Sequence, residues 1–245
     1  MEEHKVVILG SGIAGMTAGI YLKRGGLDVL VVEDNIPGGV LNEIPSIENY
    51  PGYEEISGPD LAMNIYNQLT KLGVKILNKK ITSIDLNNKI INNNIKYEYL
   101  VIATGRKSRM LSLEHEKELL GKGISTCALC DGFFYKDKKV AVVGGGSSSL
   151  TEALYLSKIC KEVIIIHRRD KLTADKYLID KVNSTKNIKV LYNSNITKYN
   201  QNNNKLTSVT INNKDNLEVE GVFLAIGSTP NSEMFNVNKD NNYII

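Results

Sequence analysis

The chain has 245 residues, of which 42% are hydrophobic and 23% are charged, and its formal net charge is +3. These values are typical of a globular protein with one large or two small domains, and they give no reason to expect nucleic-acid binding. The acidic start MEEHKVVILG differs from a signal peptide, and no apolar run approaches the ~18 residues of a transmembrane helix. We therefore expect a cytoplasmic protein with no membrane partner and no structural disulfide framework.

The first predicted elements are a strand, a helix and a second strand over residues 5–33. Gly10, Gly12 and Gly15 form G-x-G-x-x-G between the first strand and the helix. The first glycine permits a tight turn, the second lets a pyrophosphate approach the backbone, and the third allows close helix–strand packing. Glu33 ends the second strand and can accept hydrogen bonds from a ribose. The pattern predicts dinucleotide binding, the alternative being a tight turn without a ligand.

The first unit is predicted to close with an antiparallel meander. The segment TSIDLNNKIINNNIKYEYLVIATG alternates apolar and polar residues, turns at asparagines, and ends in an apolar strand at Gly105. Residues 106–124 then connect it to a second unit.

A cysteine pair lies in that second unit, in the stretch STCALCDG. Cys127 and Cys130 have the spacing of metal ligands, but no second pair exists to complete a zinc site. An inert buried pair is another alternative. A redox dithiol fits better, because helix amides next to such a pair favour the reactive thiolate and Asp131 can shuttle a proton. Cys160 falls in a helical pattern, where packing is the expected role.

Residues 139–167 repeat the strand–helix–strand pattern of the first unit. Gly144 and Gly146 fill the first two loop positions, and Ser149 takes the third. The second strand ends in His167-Arg168-Arg169 instead of an acid, so a 2′-phosphate is a natural partner for the guanidinium groups. The alternative is a solvated basic strand end.

The second unit also ends in a predicted meander. ITKYNQNNNKLTSVTINNKDNLEVEGVFLAIG turns at asparagines and closes in an apolar strand at Gly227. Residues 217–222 are the predicted return to the first unit.

Together these motifs resemble the low-molecular-weight thioredoxin reductases, which are two-domain flavoprotein disulfide reductases. The matching segments occur in the family's order over nearly the whole chain: GSGIAGMTAGIY, PGGVL, IENYPGY, LVIATG, CALCDG, VAVVGGGSSSLTEALYL, VIIIHRRDKL and AIGSTPN. The position of the cysteine motif just before the second glycine loop separates this group from other disulfide reductases.

The resemblance implies an α/β fold of two Rossmann-like, three-layer ββα domains, the second inserted into the first. Residues 1–110 and 222–245 would form the FAD domain, and residues 114–219 the NAD(P)H and disulfide domain. Hinge candidates for a rotation of the inserted domain lie at 106–124 and 217–222. A homodimer is also implied.

The family pattern also implies site residues. Those expected near FAD or NADPH are Gly10, Gly12, Gly15, Glu33, Gly39, Val40, Leu41, Asn49, Thr104, Gly105, Gly144, Gly146, Ser147, Ser148, Ser149, His167, Arg168 and Arg169. Cys130 would face the flavin, Cys127 would attack the disulfide of thioredoxin or a thioredoxin-like protein, and Asp131 would be the acid/base group. No metal site is expected.

The sequence departs from the family pattern at several positions. Thr173 replaces a phosphate-binding arginine, and Ser147 and Ser149 replace the usual loop residues. These changes leave open ferredoxin or a deazaflavin as the electron donor instead of NADPH, and also a non-enzymatic redox sensor. Val40 replaces a common glutamine near the flavin. We expect the family's last flavin-binding segment, which follows AIGSTPN, to be absent through truncation.

Overall fold

A computed structural model describes all 245 residues, and they form two compact units. Unit 1 comprises Met1–Glu43, Ile47–Lys107 and Thr229–Ile245. Unit 2 comprises Ile44–Ser46 and Ser108–Ser228, and its main segment is inserted between two parts of unit 1. No helix in either unit is long and apolar enough to cross a bilayer.

Unit 1 is built on a six-stranded sheet in the order β3-β2-β1-β6-β5-β4. Its first three strands and β6 pair in parallel, whereas β4 and β5 are antiparallel. The elements of this sheet and its two helices are β1 (Glu2–Leu9), α1 (Ile13–Arg24), β2 (Val29–Glu33), α2 (Gly58–Lys71), β3 (Lys75–Asn78), β4 (Ile84–Asp85), β5 (Ile90–Ile91) and β6 (Ile95–Ile102).

The apolar run of β1 is buried on both faces of this sheet. On one face Val7 and Leu9 pack with Tyr97 and Phe235. On the other face α1 packs against the strand, and a Cβ at Gly19 would lie 3.5 Å from the Ile8 side chain. Burial on both faces explains why the strand is continuously apolar instead of alternating.

Unit 2 is built on a five-stranded sheet in the order β11-β10-β9-β15-β8, together with a separate antiparallel sheet β12-β13-β14. Its elements are α3 (Glu116–Leu119), β8 (Ile124–Ser125), α4 (Ala128–Asp131), β9 (Lys139–Val143), α5 (Ser147–Ser157), β10 (Glu162–Ile166), α6 (Lys176–Ser184), β11 (Ile188–Leu191), β12 (Ile196–Asn202), β13 (Lys205–Ile211), β14 (Asp215–Glu218) and β15 (Gly221–Leu224).

The remaining elements are short. A two-stranded sheet joins β7 (Arg106–Ser108) to β16 (Ser228–Pro230), and both strands contain a unit boundary. A hairpin follows at β17 (Lys239–Asp240) and β18 (Tyr243–Ile244). Two 3-10 turns span Gly39–Glu43 and Gly132–Tyr135.

The return of the chain to unit 1 differs from the sequence-based boundary. Residue 222 and the predicted hinge at 217–222 lie inside unit 2, because β15 pairs in parallel with β9 at the centre of that sheet. The strand that closes the second repeat therefore corresponds to β6 of the first. The boundary falls at β7 and β16, so only the start of the predicted hinge 106–124 lies there.

Asparagine turns shape both meanders, as the sequence predicts. Asn92 and Asn93 have positive φ, and so do the asparagine pairs at 203–204 and 212–213. Asparagine tolerates this left-handed conformation better than other residues with side chains.

A buried carboxylate fixes the beginning of unit 2. Glu116 is only 2% exposed, and it accepts hydrogen bonds from the backbone N–H groups of Leu111 (3.0 Å) and Ser112 (2.6 Å) and from the hydroxyl of Tyr199 (2.7 Å). Burial and the neighbouring Glu116 carboxylate raise the pKa of Tyr199 far above its usual range. The segment after β7 is thus tied to the second meander.

We predict that Glu116→Ala lowers the free energy of unfolding by about 2–4 kcal/mol, because the buried Tyr199 hydroxyl and the N–H groups of Leu111 and Ser112 lose their acceptor. Urea denaturation followed by far-UV circular dichroism measures this loss. Glu114→Ala is the matched control, since its side chain is 79% exposed, and it should change stability by less than ~0.5 kcal/mol. Equal losses in the two variants would contradict the anchoring role.

Candidate functional site: two glycine loops and a cysteine pair

The first glycine loop follows β1 and leads into α1. Gly10 has φ +98°, and a Cβ there would lie 2.3 Å from the carbonyl oxygen of Ala103. A Cβ at Gly15 would lie 2.0 Å from the carbonyl oxygen of Gly10. A Cβ at Gly12 would meet nothing within 4 Å. The first and third glycines are therefore required by the fold, whereas the second leaves backbone open to a ligand.

The Glu33 carboxylate at the end of β2 is hydrogen-bonded to this loop. One oxygen accepts hydrogen bonds from the N–H (2.7 Å) and the hydroxyl (2.8 Å) of Ser11, and the other from the N–H groups of Asp34 and Asn35. The sequence pattern indicated that Glu33 ends the second strand near the loop. It gave no role to Ser11, the residue between the first two glycines.

The loop after Pro37 lies against the same glycines. The N–H of Gly38 donates to the carbonyl of Ser11 at 2.9 Å, and a Cβ at Gly39 would lie 3.3 Å from Cα of Gly12. Val40 is partly buried and Leu41 is buried next to them. The segment expected near the flavin therefore lies beside the first glycine loop.

Thr104 and Gly105 follow β6 and are held by a residue that the sequence reasoning missed. The backbone carbonyl of Asn231 accepts a hydrogen bond from the Thr104 hydroxyl (2.7 Å), and its side-chain amide donates one to the Thr104 backbone carbonyl (3.0 Å). Its N–H donates to the Gly105 carbonyl at 2.9 Å. The only signal for Asn231 was its place in AIGSTPN. Asn49 lies exposed in the loop before α2.

The second glycine loop reproduces the first. Gly144 has φ +147°, and its Cβ would lie 2.4 Å from the carbonyl oxygen of Ala225, the counterpart of Ala103. Ser149 is fully buried and donates its hydroxyl to the Gly146 carbonyl at 2.7 Å. Serine at the third position therefore preserves the close approach of helix and strand.

His167 packs beneath the second glycine loop instead of facing its open side. Its ring packs where a Cβ of Gly145 would lie, 2.2 Å away, and its Nε2 donates to the Lys171 carbonyl at 2.9 Å. Arg168 and Arg169 are exposed, and neither guanidinium group forms a salt bridge within the chain. They remain available to an anion.

The segment after these arginines closes onto the second loop. Thr173 donates its N–H to the Gly145 carbonyl at 2.7 Å. Ser147 donates its hydroxyl to the Asp175 carboxylate at 2.9 Å, and Ser148 is exposed beside it. Asp175 is a further contact that sequence spacing did not reveal.

Cys127 and Cys130 form a disulfide at the start of α4. Cys127 is the N-cap residue, and its Sγ accepts the backbone N–H of Cys130 at 3.0 Å. Cys127 is only 7% exposed, whereas Cys130 is exposed. The pair thus opens a helix, and hydrogen bonding to Cys127 favours its thiolate after reduction.

Asp131 and Cys160 differ in how far they are buried. Asp131 is partly buried, and its charge adds to the effect of burial in raising the pKa of Tyr135. Cys160 is 5% exposed within the core of unit 2, where burial raises the pKa of its thiol to about 11. Such a thiol is unreactive at neutral pH, which agrees with a packing role.

Comparison with known proteins places this geometry in a family. The family described as Pyridine nucleotide-disulphide oxidoreductase matches residues 4–244. The chain belongs to this family. The resemblance seen in the motifs is thereby confirmed.

Relatives within the family carry the name thioredoxin reductase. That of Buchnera aphidicola subsp. Schizaphis graminum is 40% identical over 252 residues, which cover 96% of this chain and 79% of the relative. The structure of Lactococcus lactis thioredoxin reductase is 35% identical and matches with a TM-score of 0.90, covering 94% of this chain and 80% of that one. That of T. acidophilum thioredoxin reductase is 28% identical and matches with a TM-score of 0.91 over 98% and 83%. The predicted fold class is confirmed.

FAD and NADPH are the cofactors of the thioredoxin reductases in this family, and the chain offers fitting features for both. The open backbone at Gly12 suits a pyrophosphate, and the Glu33 carboxylate suits a ribose hydroxyl. In unit 2, Gly146 has only the Thr173 hydroxyl near its Cβ position, at 4.0 Å, and two unpaired guanidinium groups follow β10.

A pair of glycine variants separates folding from binding. We predict that Gly12→Ala folds with nearly unchanged stability but releases its flavin, because the added methyl occupies space left for phosphate. Gly15→Ala should lower the free energy of unfolding by several kcal/mol, about 2–5, because its Cβ collides with backbone. Flavin absorbance after gel filtration and thermal denaturation report the two properties. Retention of flavin by Gly12→Ala would contradict the assignment.

Proposed function

We propose that this protein is a flavin-dependent disulfide oxidoreductase that passes electrons from NADPH to thioredoxin or a thioredoxin-like protein through Cys127 and Cys130. The observation that carries the proposal is the disulfide at the start of α4, with Sγ of Cys127 on the N–H of Cys130. The family match and the thioredoxin reductase relatives support it.

The cofactor assignment follows the two glycine loops. We assign FAD to unit 1, with Gly10, Gly12, Gly15, Glu33 and the segment 39–41 beside it, and we keep Asn49, Thr104 and Gly105 in the same site. We assign NADPH to unit 2, with the loop 144–149 and the two arginines. FAD bound there would supply two-electron transfer between the pyridine nucleotide and the disulfide.

Reduction of the disulfide converts two sulfurs into two thiols and consumes two protons. Asp131 is the acid/base group that exchanges these protons, since it adjoins Cys130 in sequence. The Cys127 thiol then loses its proton, and its thiolate attacks one sulfur of the partner disulfide. The partner S–S bond breaks, a mixed disulfide forms, and the other partner sulfur leaves as a thiolate that takes up a proton. The Cys130 thiolate attacks Cys127, releases the partner as a dithiol, and restores the internal disulfide.

The roles of the two sulfurs rest on different properties. The hydrogen bond from the N–H of Cys130 favours a thiolate at Cys127, which supports Cys127 as the attacking group. Its low exposure of 7% means that the partner reaches it only after Cys127 becomes more accessible. Cys130 remains the sulfur that we assign to the flavin.

The positive charges that follow β10 support NADPH as the electron donor. The guanidinium groups of Arg168 and Arg169 are exposed and unpaired, as a 2′-phosphate site requires. Thr173, which replaces an arginine, is held to the Gly145 carbonyl and contributes no charge there. We therefore favour NADPH over ferredoxin or a deazaflavin, and an enzyme over a redox sensor.

We also propose a homodimer in the cytoplasm, as the family resemblance implies. Light scattering of the flavin-loaded protein tests the dimer, since a mass of one chain at micromolar concentration would refute it.

We predict that Cys127→Ser retains a normal flavin spectrum but loses thioredoxin reduction, because serine cannot form the mixed disulfide. Flavin absorbance and a coupled assay of thioredoxin thiols measure the two properties in one preparation.

Cys160→Ala is the control for this variant, because Cys160 is the remaining cysteine and lies buried away from solvent. It should keep the wild-type rate. Undiminished turnover in Cys127→Ser would refute the assignment of the redox centre.

A further inference from the structure

A buried hydroxyl lies directly before the cysteine pair and takes no part in the disulfide exchange itself. Ser125 is 4% exposed and ends β8, where it pairs with Phe223 of β15. This serine therefore lies on the edge strand β8, which pairs with β15, the strand next to β9.

The Ser125 hydroxyl holds both polar groups of the Cys127 backbone. Its Oγ accepts the N–H of Cys127 at 3.0 Å and donates to the Cys127 carbonyl at 3.2 Å. The N–H of Asp131 donates to the same carbonyl at 3.2 Å. The two backbone dihedral angles of Cys127, φ −139° and ψ 100°, are thereby fixed from both sides.

This backbone conformation sets the direction of the Cα–Cβ bond of Cys127, and rotation about that bond then places the sulfur. With these dihedral angles, Sγ turns back over the first turn of α4 and accepts the N–H of Cys130 at 3.0 Å. A hydrogen bond to the charged form of a group favours that form. The thiolate is the form that attacks disulfides.

We propose that Ser125 is a positioning residue for the dithiol, whose hydroxyl holds Cys127 so that the N–H of residue 130 stabilises its thiolate. This inference rests on the proposed function in one respect, namely that Cys127 attacks the partner. Ser125 itself does not touch the partner or donate a proton to it. Its effect passes through the Cys127 backbone.

The chain offers a close control. Thr126 carries a hydroxyl between Ser125 and Cys127, but this hydroxyl makes no hydrogen bond with Cys127. A Thr126→Ala variant therefore removes a neighbouring hydroxyl without releasing the Cys127 peptide. Ser125→Thr keeps a hydroxyl at this position. Ser125→Val has nearly the same shape as the threonine variant but lacks the hydroxyl.

The test measures the thiolate directly, in a Cys130→Ser background that keeps the N–H at position 130. The rate of alkylation of Cys127 by iodoacetamide is followed against pH in the flavin-loaded protein, with the modified peptide identified by mass spectrometry. We expect Ser125→Ala and Ser125→Val to raise the midpoint by about one pH unit, a tenfold loss of thiolate below the midpoint. Ser125→Thr and Thr126→Ala should keep the original midpoint.

An unchanged midpoint in Ser125→Ala and Ser125→Val would overturn the inference. It would leave the proposed function standing, because that depends on turnover by Cys127 and not on this midpoint. Conversely, turnover in Cys127→Ser would refute the function whatever the midpoint.

A second measurement needs no variant, in case loss of the hydroxyl prevents folding. Amide hydrogen exchange in the wild-type protein should show the Cys127 N–H protected both before and after anaerobic reduction. Rapid exchange of this amide in the reduced protein would overturn the inference, because Ser125 would then hold Cys127 only in the disulfide form.

Discussion

The close approach of a glycine to a neighbouring strand is the constraint on which both units depend. A Cβ at Gly10 would collide with the Ala103 carbonyl, and a Cβ at Gly144 would collide with the Ala225 carbonyl, at 2.3 and 2.4 Å. Each contact brings the N-terminus of a helix to the carboxyl end of a parallel sheet, where amide groups are free to meet phosphate. The two nucleotide sites follow from one repeated piece of backbone packing.

The redox centre uses the same sheet in a different way. In unit 2, the alanine that directly follows β15 meets the second glycine loop, and β15 also pairs with β8, which ends at Ser125. The disulfide is thus attached to the sheet that carries the nucleotide loop. Exposure and hydrogen bonding are divided between the sulfurs, since Cys127 is buried and hydrogen-bonded whereas Cys130 is exposed. Once the disulfide is reduced, the hydrogen bond favours a thiolate at Cys127, while Cys130 is the more exposed sulfur.

The sequence predicted those features of the fold that depend on the conformational preferences of neighbouring residues. Glycine spacing, apolar runs and asparagine turns predicted both loops and both meanders, because each depends on the conformational freedom of single residues. Contacts between distant segments were not predictable in this way. The hydrogen bonds from Asn231 to Thr104 and from Ser147 to Asp175 form only where loops meet after folding. The same holds for the hydrogen bond that turns the His167 ring inward. The structure divides the chain after residue 228 instead of at 222, because strand pairing, which a single sequence does not reveal, keeps β15 inside unit 2.

Anaerobic titration of the flavin-loaded protein with NADPH tests the central claim most directly, because flavin and disulfide each accept two electrons. We expect the wild-type protein to consume about two NADPH per flavin, with two thiols appearing, and the variant with serine at both 127 and 130 to consume about one. Equal consumption by the two proteins would contradict electron transfer from the flavin to this disulfide. A flavin reduced by dithionite but not by NADPH would contradict the proposed donor.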